Sequence, residues 1–335
     1  MLRAPLALLL TLLLLPACAP PAGDADVRTS AEGVQLPYEV VCTVGMVADL
    51  ARNVAGDRAT VRTLMGEGID PHLYKATRDD VAAMSRAGVV FYNGLLLEGK
   101  MQDLFVQLGR DRPVVAVTSG LDPETLLEPE GEAGHPDPHV WMDPDAWARC
   151  VDTVRETLSG FDPDGAAGYA ERAAAYQAEI RALGDYGRGA LATIPEDRRI
   201  LITSHDAFSY FGRAFGLDVR GIQGLSTESE AGLQRMNQLV DLLVERGVEA
   251  VFVETSVPTK SVEALRNGAR RRGREVAVGG TLYSDAMGAA GTYEGTYLGM
   301  IDHNVTTVAR ALGGDAPERG VAGRLGGGAG GAGAE

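Results

Sequence analysis

The sequence predicts an α/β protein with two lobes, each a parallel-type sheet flanked by helices, joined by one long connecting helix. Short apolar, β-rich runs alternate with helical patterns in residues 36–160, and the alternation restarts in residues 195–312. Strands that alternate with helices favour a parallel sheet with helices on its faces. Between these regions, residues 165–191 form one Ala-rich helical stretch. We therefore expect residues 161–194 to form a rigid connector between an N-terminal and a C-terminal lobe.

Each predicted element follows from its local pattern. In the N-terminal lobe, apolar runs predict strands at 38–44, 60–65, 88–93 and 113–118, and helical periodicity predicts helices at 46–54, 78–86, 101–109 and 145–158. Thr77 is a suitable N-cap for the second helix. The C-terminal lobe repeats the alternation, with strands at 199–203, 218–223, 250–254 and 275–279 and helices at 206–215, 230–246, 260–272 and 293–312. The acidic segment 126–138 interrupts the first lobe and is predicted to be a surface loop.

The first 18 residues are typical of an export signal. Arg3 gives a positive start, and the apolar run 4–15 is too short to span a bilayer but suits a signal peptide. Ala17 before Cys18 resembles a lipobox, which predicts an exported chain, periplasmic or at the cell surface, anchored to the membrane by a lipid on Cys18. An ordinary cleaved signal is the alternative. Residues 19–35 are predicted to be a flexible tether, and the Gly/Ala-rich residues 313–335 a disordered tail.

Charge and cysteine content exclude several classes of protein. The formal net charge of −15 disfavours nucleic acid as a partner, because phosphate contacts need a basic face. With Cys18 lipidated, Cys42 and Cys150 remain. One lies in a strand-like run and the other in a helix-like run, so we expect two separate buried thiols. The chain contains no CxxC pair, so a thiolate zinc site is not expected.

Four polar side chains follow predicted strands, where ligands of open α/β sheets bind. They are His72, His139, His205 and Asp285, two from each lobe, so a cleft between the lobes would gather them. Three imidazoles and one carboxylate suit a divalent transition metal such as Zn²⁺ or Mn²⁺. His72 and His139 both end an Asp-Pro-His triplet, and Pro restrains the chain there. By chemistry alone His135 competes with His139, whereas His303 lies within a predicted helix and is interpreted as structural.

Several motifs resemble one known family. They are GIDPHLYKATRDDV at 68–81, VVFYNGLLLEGKM at 89–101, HVWMDP at 139–144, SHDAFSYFGRAFGL at 204–217, VFVETS at 251–256 and YSDAMGAAGTYEGTYLGMIDHN at 283–304. Through them the chain resembles the metal-binding solute-binding lipoproteins of bacterial zinc/manganese ABC importers, the cluster A-I or cluster 9 proteins, and their TroA-like branch in particular. The resemblance covers residues 40–312.

The resemblance implies a metal held between two lobes that are bridged by a long helix. Its ligand positions match His72, His139, His205 and Asp285, and it places His303 outside the ligand set. The third position varies in the family, with Glu common in branches dedicated to manganese and His in zinc-binding and mixed members. With His205 there, the resemblance implies a Zn²⁺/Mn²⁺ carrier. Three nitrogens and one carboxylate predict that zinc binds more tightly than manganese, because Mn²⁺ lies at the weak end of the divalent series. A carrier dedicated to manganese is the alternative within the family.

The family also implies an ABC permease and ATPase as partners, and we expect a monomer. Asp143, Asp206 and Glu254 lie near the predicted ligands in sequence or at a strand end, and are candidates to orient the imidazoles. The rival from another class is a zinc-dependent hydrolase, whose metal keeps one position open for water. Asp285 would fill that position, and neither HExxH nor GxSxG occurs in the chain. We therefore expect a carrier rather than an enzyme.

Overall fold

The computed structural model of the protein describes residues 28–29, 33–128 and 135–326. The predicted signal segment with Cys18, most of the tether, part of the acidic loop and the end of the tail lie outside the described residues. In the part of the chain that is described, no helix combines the length and apolar character needed to cross a bilayer.

The N-terminal lobe is built on a four-stranded parallel sheet. A short antiparallel pair, β1 (Arg28–Thr29) with β2 (Gln35–Leu36), precedes it. The sheet has the order β4-β3-β5-β6, from β3 (Tyr38–Cys42), β4 (Ala59–Thr63), β5 (Val89–Tyr92) and β6 (Val114–Ala116). Its helices are α1 (Gly45–Ala55), α2 (Arg78–Arg86), α3 (Gln102–Leu108) and α4 (Pro144–Phe161). The parallel pairing confirms the predicted sheet type.

The C-terminal lobe contains two parallel strand pairs that lie side by side. β7 (Ile200–Thr203) pairs with β8 (Asp218–Gly221), and β9 (Ala250–Glu254) pairs with β10 (Ala277–Leu282). Strand β7 also contacts β9. The helices are α6 (Ser209–Phe215), α7 (Leu233–Glu245), α8 (Lys260–Arg271) and α9 (Tyr297–Ala311). The lobe therefore presents several parallel strand ends at one edge.

One long helix, α5 (Ala166–Leu191), runs between the two sets of strands. At 1.5 Å per residue its 26 residues span about 39 Å. Its buried side chains recur every three or four positions, from Tyr169 through Tyr176 and Ile180 to Leu191, as one helix face requires. It packs on α1 and α4 of the first lobe and on α6 and α9 of the second. This double packing holds the two lobes on one shared support.

The apolar core forms two clusters. The larger one joins the N-terminal sheet to α1, α4, α5 and α9, and includes Trp147, Tyr169 and Tyr297. The smaller one lies between β7, β9, α7 and α8. Cys42 and Cys150 are buried in the larger cluster as separate free thiols, as predicted.

Most predicted elements begin or end a few residues away from the observed bounds, and two segments differ in a more informative way. Strand β10 runs to Leu282 and not to residue 279, with a register shift between Val278 and Gly280, so the glycines that suggested a strand end instead form an irregularity. The tail is not disordered from residue 313 to residue 326. There, buried Asp302 of α9 accepts the backbone N–H of Val321 at 3.0 Å, and Leu325 is buried against the lobe. The high Gly content of the tail predicted disorder. The contacts that order it could not be predicted, because they involve side chains that are distant in sequence.

Candidate metal centre

Four loops at strand ends bring together the four predicted donor side chains. His72 follows β4, His139 lies in the long connection after β6, His205 follows β7, and Asp285 follows β10. Nitrogen or oxygen atoms of all four lie within 4.8 Å of one another, and all four residues are buried. Two come from each lobe, so the cluster sits between the lobes. His135, the sequence rival of His139, is exposed and outside this cluster.

The spacing of the donor atoms suits a single ion at their centre. A tetrahedral ion bound at 2.0–2.2 Å separates its ligand atoms by about 3.3–3.6 Å. The Nε2 atoms of His72 and His139 are 3.3 Å apart. Asp285 Oδ1 lies 3.4 Å from His139 Nε2, and Asp285 Oδ2 lies 3.2 Å from His205 Nε2 and 3.9 Å from His72 Nε2. All three imidazoles therefore turn the same nitrogen toward the carboxylate.

The chemistry of the buried atoms also suits an ion. Both carboxylate oxygens of Asp285 and Nε2 of His205 are buried without a hydrogen bond of acceptable geometry among the described residues. Buried polar atoms without partners are costly and rare in folded proteins. A divalent cation bound by these atoms would satisfy all three at once.

The two Asp-Pro-His triplets build the same local turn. Asp70 Oδ1 accepts the backbone N–H of His72 at 2.9 Å, and Asp137 Oδ1 accepts that of His139 at 2.9 Å. Only Asp137 continues to the ring, where Oδ1 lies 2.7 Å from His139 Nδ1. That bond assigns the proton to Nδ1 and leaves Nε2 to face the cleft. Asp137 was not among the residues predicted from the sequence. The repeated triplet indicated the turn, but it does not distinguish Asp137 from Asp70, whose carboxylate contacts its histidine only at the backbone N–H.

Glu254, a candidate from the sequence, contacts His205 at two atoms. Its Oε2 lies 2.5 Å from His205 Nδ1, and its Oε1 accepts the His205 backbone N–H at 3.0 Å. The other two candidates have different contacts. Asp143 caps α4 through the N–H groups of residues 145 and 146 and pairs with Arg213, and Asp206 accepts the Ser209 hydroxyl. Asp137 and Glu254, and not Asp143 or Asp206, thus hydrogen-bond imidazole rings of the cluster.

The electrostatics of the cluster favour an ionised Asp285. Burial opposes its charge, but His205 and His139 outweigh burial and hold the pKa of Asp285 well below its usual range. Burial also opposes charge on His139, where Asp137 and Asp285 prevail and raise the pKa to about 9. Glu254 and Asp285 likewise raise the pKa of His205 against the effect of burial. In the ion-free protein, protons on these rings therefore partly neutralise the carboxylates.

His72 is the donor closest to solvent. Burial lowers its pKa to about 3, with Asp285 acting in the opposite direction. Its side chain is 5 % exposed, whereas those of His139, His205 and Asp285 are 0 % exposed. Of the four donors, only His72 lines the neighbouring cavity of about 550 Å³ between the lobes. His303 lies apart from the cluster on α9, 2.9 Å from the Thr281 carbonyl oxygen, in agreement with its structural interpretation.

Most of the chain matches the model of one protein family. The family model described as "Zinc-uptake complex component A periplasmic" matches residues 40–311. The chain belongs to this family. The zinc-uptake component A family consists of substrate-binding proteins of transport systems and not of enzymes.

Two relatives and one solved structure are similar to this chain over most of its length. The manganese-binding lipoprotein MntA of Bacillus subtilis (strain 168) is 44 % identical over 274 residues, which cover 82 % of this chain and 89 % of that protein. The zinc-binding protein TroA of Treponema pallidum (strain Nichols) is 45 % identical over 273 residues, 82 % of this chain and 88 % of TroA. A solved structure of the Treponema pallidum protein matches with a TM-score of 0.80 and 44 % identity, over 82 % of this chain and 99 % of the other. This zinc-uptake component A family member therefore resembles proteins named for two different metals.

Proposed function

We propose that the protein captures Zn²⁺ or Mn²⁺ as its substrate in the cleft between the lobes and delivers the ion to an ABC importer. His72, His139, His205 and Asp285 are the proposed ligands. The main support is the buried carboxylate of Asp285. Its two oxygens face imidazole nitrogens at 3.2–3.4 Å and have no hydrogen bond of acceptable geometry among the described residues. Membership of a family of uptake components supports transport over hydrolysis.

The donor set favours zinc over manganese in intrinsic affinity. Imidazole nitrogen suits Zn²⁺, and Mn²⁺ lies at the weak end of the divalent series. Relatives of comparable identity are named for manganese and for zinc, which supports a carrier that accepts both ions. We propose that zinc binds more tightly and that manganese is also bound.

Two carboxylates orient two imidazole rings of the site before an ion binds. Asp137 and Glu254 hold Nδ1 protons on His139 and His205, so that Nε2 faces the cleft before an ion arrives. An arriving cation replaces protons on the rings, and ionised Asp285 compensates its charge. Because α5 packs on both lobes, we expect local loop movement, and not a wide hinge motion, to admit and release the ion.

The proposed function also requires a location at the membrane, next to the importer. We propose that the mature protein is a monomer, exported and held at the membrane by a lipid on Cys18, where it meets the permease and its ATPase. Relatives carrying the name lipoprotein support the anchor. Radiolabelled fatty acid should enter the expressed wild-type chain and not the Cys18→Ala chain. Label in both chains would contradict the anchor without bearing on metal capture.

A competition titration tests metal capture. We expect the protein purified without added metal to bind one equivalent of Zn²⁺, to bind Mn²⁺ more weakly, and to lose both in His205→Ala. His303→Ala is the matched control, because this imidazole lies outside the cluster and should leave affinity unchanged. Unchanged affinity in His205→Ala, or equal losses in both variants, would contradict the proposed ligand set.

A further inference from the structure

One exposed segment of the C-terminal lobe reaches across the cleft and contacts Asp70, which also accepts the backbone N–H of His72. We call residues 224–230, between β8 and α7, the strap. Its residues Gly224, Ser226 and Ser229 line the cavity of about 550 Å³ beside His72, and the opposite wall includes Leu95 and Leu96 of the N-terminal lobe. The strap therefore covers the side on which the site is open.

Among the described residues, two polar contacts join the strap to the N-terminal lobe. Thr227 Oγ1 donates to Asp70 Oδ2 at 2.5 Å, and both residues are half-buried. Lys100 Nζ lies 2.9 Å from Glu228 Oε1, with side chains 30 % and 52 % exposed. A bond from a hydroxyl to a partly buried carboxylate is much stronger than an exposed ion pair. The Thr227–Asp70 bond is therefore the principal link.

The same carboxylate fixes the backbone of His72. Asp70 Oδ2 accepts from Thr227 of the strap, while Asp70 Oδ1 accepts the backbone N–H of His72 at 2.9 Å. Asp70 thus connects a cleft-covering segment to a metal donor through two oxygens of one rigid group. In the second triplet, one oxygen of Asp137 contacts both the backbone N–H and Nδ1 of His139.

The strap is also connected to the C-terminal half of the site. The Gln223 N–H donates to the Ser204 carbonyl oxygen at 3.0 Å, and the Asp206 N–H donates to the Gly224 carbonyl oxygen at 3.2 Å. These bonds flank His205. Between residues 225 and 230, side-chain bonds hold the strap, such as Gln223 Nε2 to the Ser229 carbonyl oxygen at 3.1 Å. The base of the strap is therefore fixed by the backbone, and its exposed middle depends on side chains.

We propose that Asp70 is a positioning residue that couples the strap to His72, so that release of the Thr227–Asp70 bond opens the cavity and loosens His72 together. His72 is the most exposed donor and the only one of the four that lines the cavity, so the ion passes it on entry and exit. The bond then sets the rate of metal exchange. This inference rests on the proposed capture of a divalent ion at the site.

Thr227→Val tests the coupling, because it removes the hydroxyl and retains the shape of the side chain. In the metal-free protein, hydrogen–deuterium exchange should rise about tenfold both in peptides covering residues 222–232 and in peptides covering residues 66–75, where the His72 amide lies. Dissociation of Zn²⁺ into excess chelator should accelerate by about the same factor, which corresponds to about 1.4 kcal/mol. Thr227→Ser retains the donor and should restore wild-type exchange and dissociation.

Glu228→Gln is the matched control. It breaks the neighbouring ion pair across the cleft without touching Asp70, and both readouts should stay within about twofold of wild type. If Thr227→Val raises exchange only in residues 222–232 and leaves Zn²⁺ dissociation unchanged, Thr227 merely orders the strap and the proposal is overturned. Equal effects of Glu228→Gln and Thr227→Val would overturn it as well.

The two proposals fail in different ways. Wild-type protein that binds no Zn²⁺ contradicts metal capture, while the exchange of residues 66–75 in the metal-free variants still reports on the coupling. Wild-type protein that binds Zn²⁺ tightly, with no change at residues 66–75 in Thr227→Val, contradicts the coupling and leaves metal capture intact.

Discussion

Replacing Asp137 by Asn should change both the strength and the pH dependence of zinc binding. Asp137 and His139 are buried, with 1 % and 0 % of their surface exposed, and one carboxylate oxygen accepts from both the backbone N–H and Nδ1 of His139. The Asn side-chain oxygen can keep both bonds, so the turn remains while the charge is lost. A hydrogen bond to a charged group is stronger than a neutral one by about 1–1.5 kcal/mol, so Kd at pH 8.5 should rise roughly tenfold.

The same substitution should reduce proton competition. Burial disfavours a charged His139, but Asp137 and then Asp285 hold its pKa at about 9, so at pH 6.5 zinc must displace a bound proton. Each pH unit below that pKa corresponds to about 1.4 kcal/mol, so wild-type binding should weaken by nearly a factor of one hundred between pH 8.5 and pH 6.5 through this ring. Without Asp137 the pKa of His139 falls, and the gap between variant and wild type should narrow as pH decreases.

Calorimetric or chelator competition titrations at pH 6.5, 7.5 and 8.5 measure these effects. Asp122→Asn is the control, because Asp122 makes a similar turn, accepting the Glu124 N–H at 3.0 Å, on an exposed loop away from the cluster. We expect it to match wild type at every pH. An Asp137→Asn profile that runs parallel to wild type, or that coincides with Asp122→Asn, would refute the role assigned to Asp137.

Other substitutions separate the site from its scaffold. Glu254→Gln should raise the Kd for Zn²⁺ roughly 10- to 100-fold, because the carboxylate orients His205, and it should have no further effect in His205→Ala; additive losses in the competition titration would contradict this. Asp162→Asn should cost about 3 kcal/mol of unfolding free energy at pH 7, since it breaks the bidentate contact with Arg58 at 2.6 and 2.7 Å. Burial opposes ionisation there, but Arg58 and Tyr169 hold the pKa of Asp162 below its usual value. The stabilisation from ionised Asp162 is therefore complete above about pH 4 and is lost as pH falls through its lower, folded-state pKa. In urea unfolding, the loss of unfolding free energy in Asp162→Asn should be smaller at pH 3 than at pH 7. An equal loss at both pH values would contradict the ion pair.

Local patterns predicted most helices and strands because their signals are local. The helix predicted at 78–86 is α2 to the residue, and Thr77 caps it within a reciprocal capping box with Asp80. Strand β9 also has its predicted bounds, since a short apolar run in an α/β chain leaves few alternatives. The pattern failed where glycine dominates, at Gly280 in β10 and beyond residue 313, because tertiary contacts from α9 decide the structure there.

The sequence predicted which residues form the donor cluster and that they follow strands. It did not predict the hydrogen bonds that orient the imidazole rings. Post-strand placement identified all four clustered residues, and the resemblance chose His139 over His135. The groups that hold the rings depend on side-chain direction. Identical triplets place Asp137 on a ring nitrogen and Asp70 on the strap, a difference that lies in the surroundings and not in the local sequence. Asp143 precedes Pro144 at a helix start, a capping signature that competes with any role at the site.

A crystal structure of the Zn²⁺-loaded protein, with data collected on both sides of the zinc absorption edge, tests the central claim most directly. We expect one anomalous peak between the lobes, within about 2.0–2.2 Å of Nε2 of His72, His139 and His205 and of a carboxylate oxygen of Asp285. A peak bound by His135 in place of His139, or zinc found only on the surface, would contradict it.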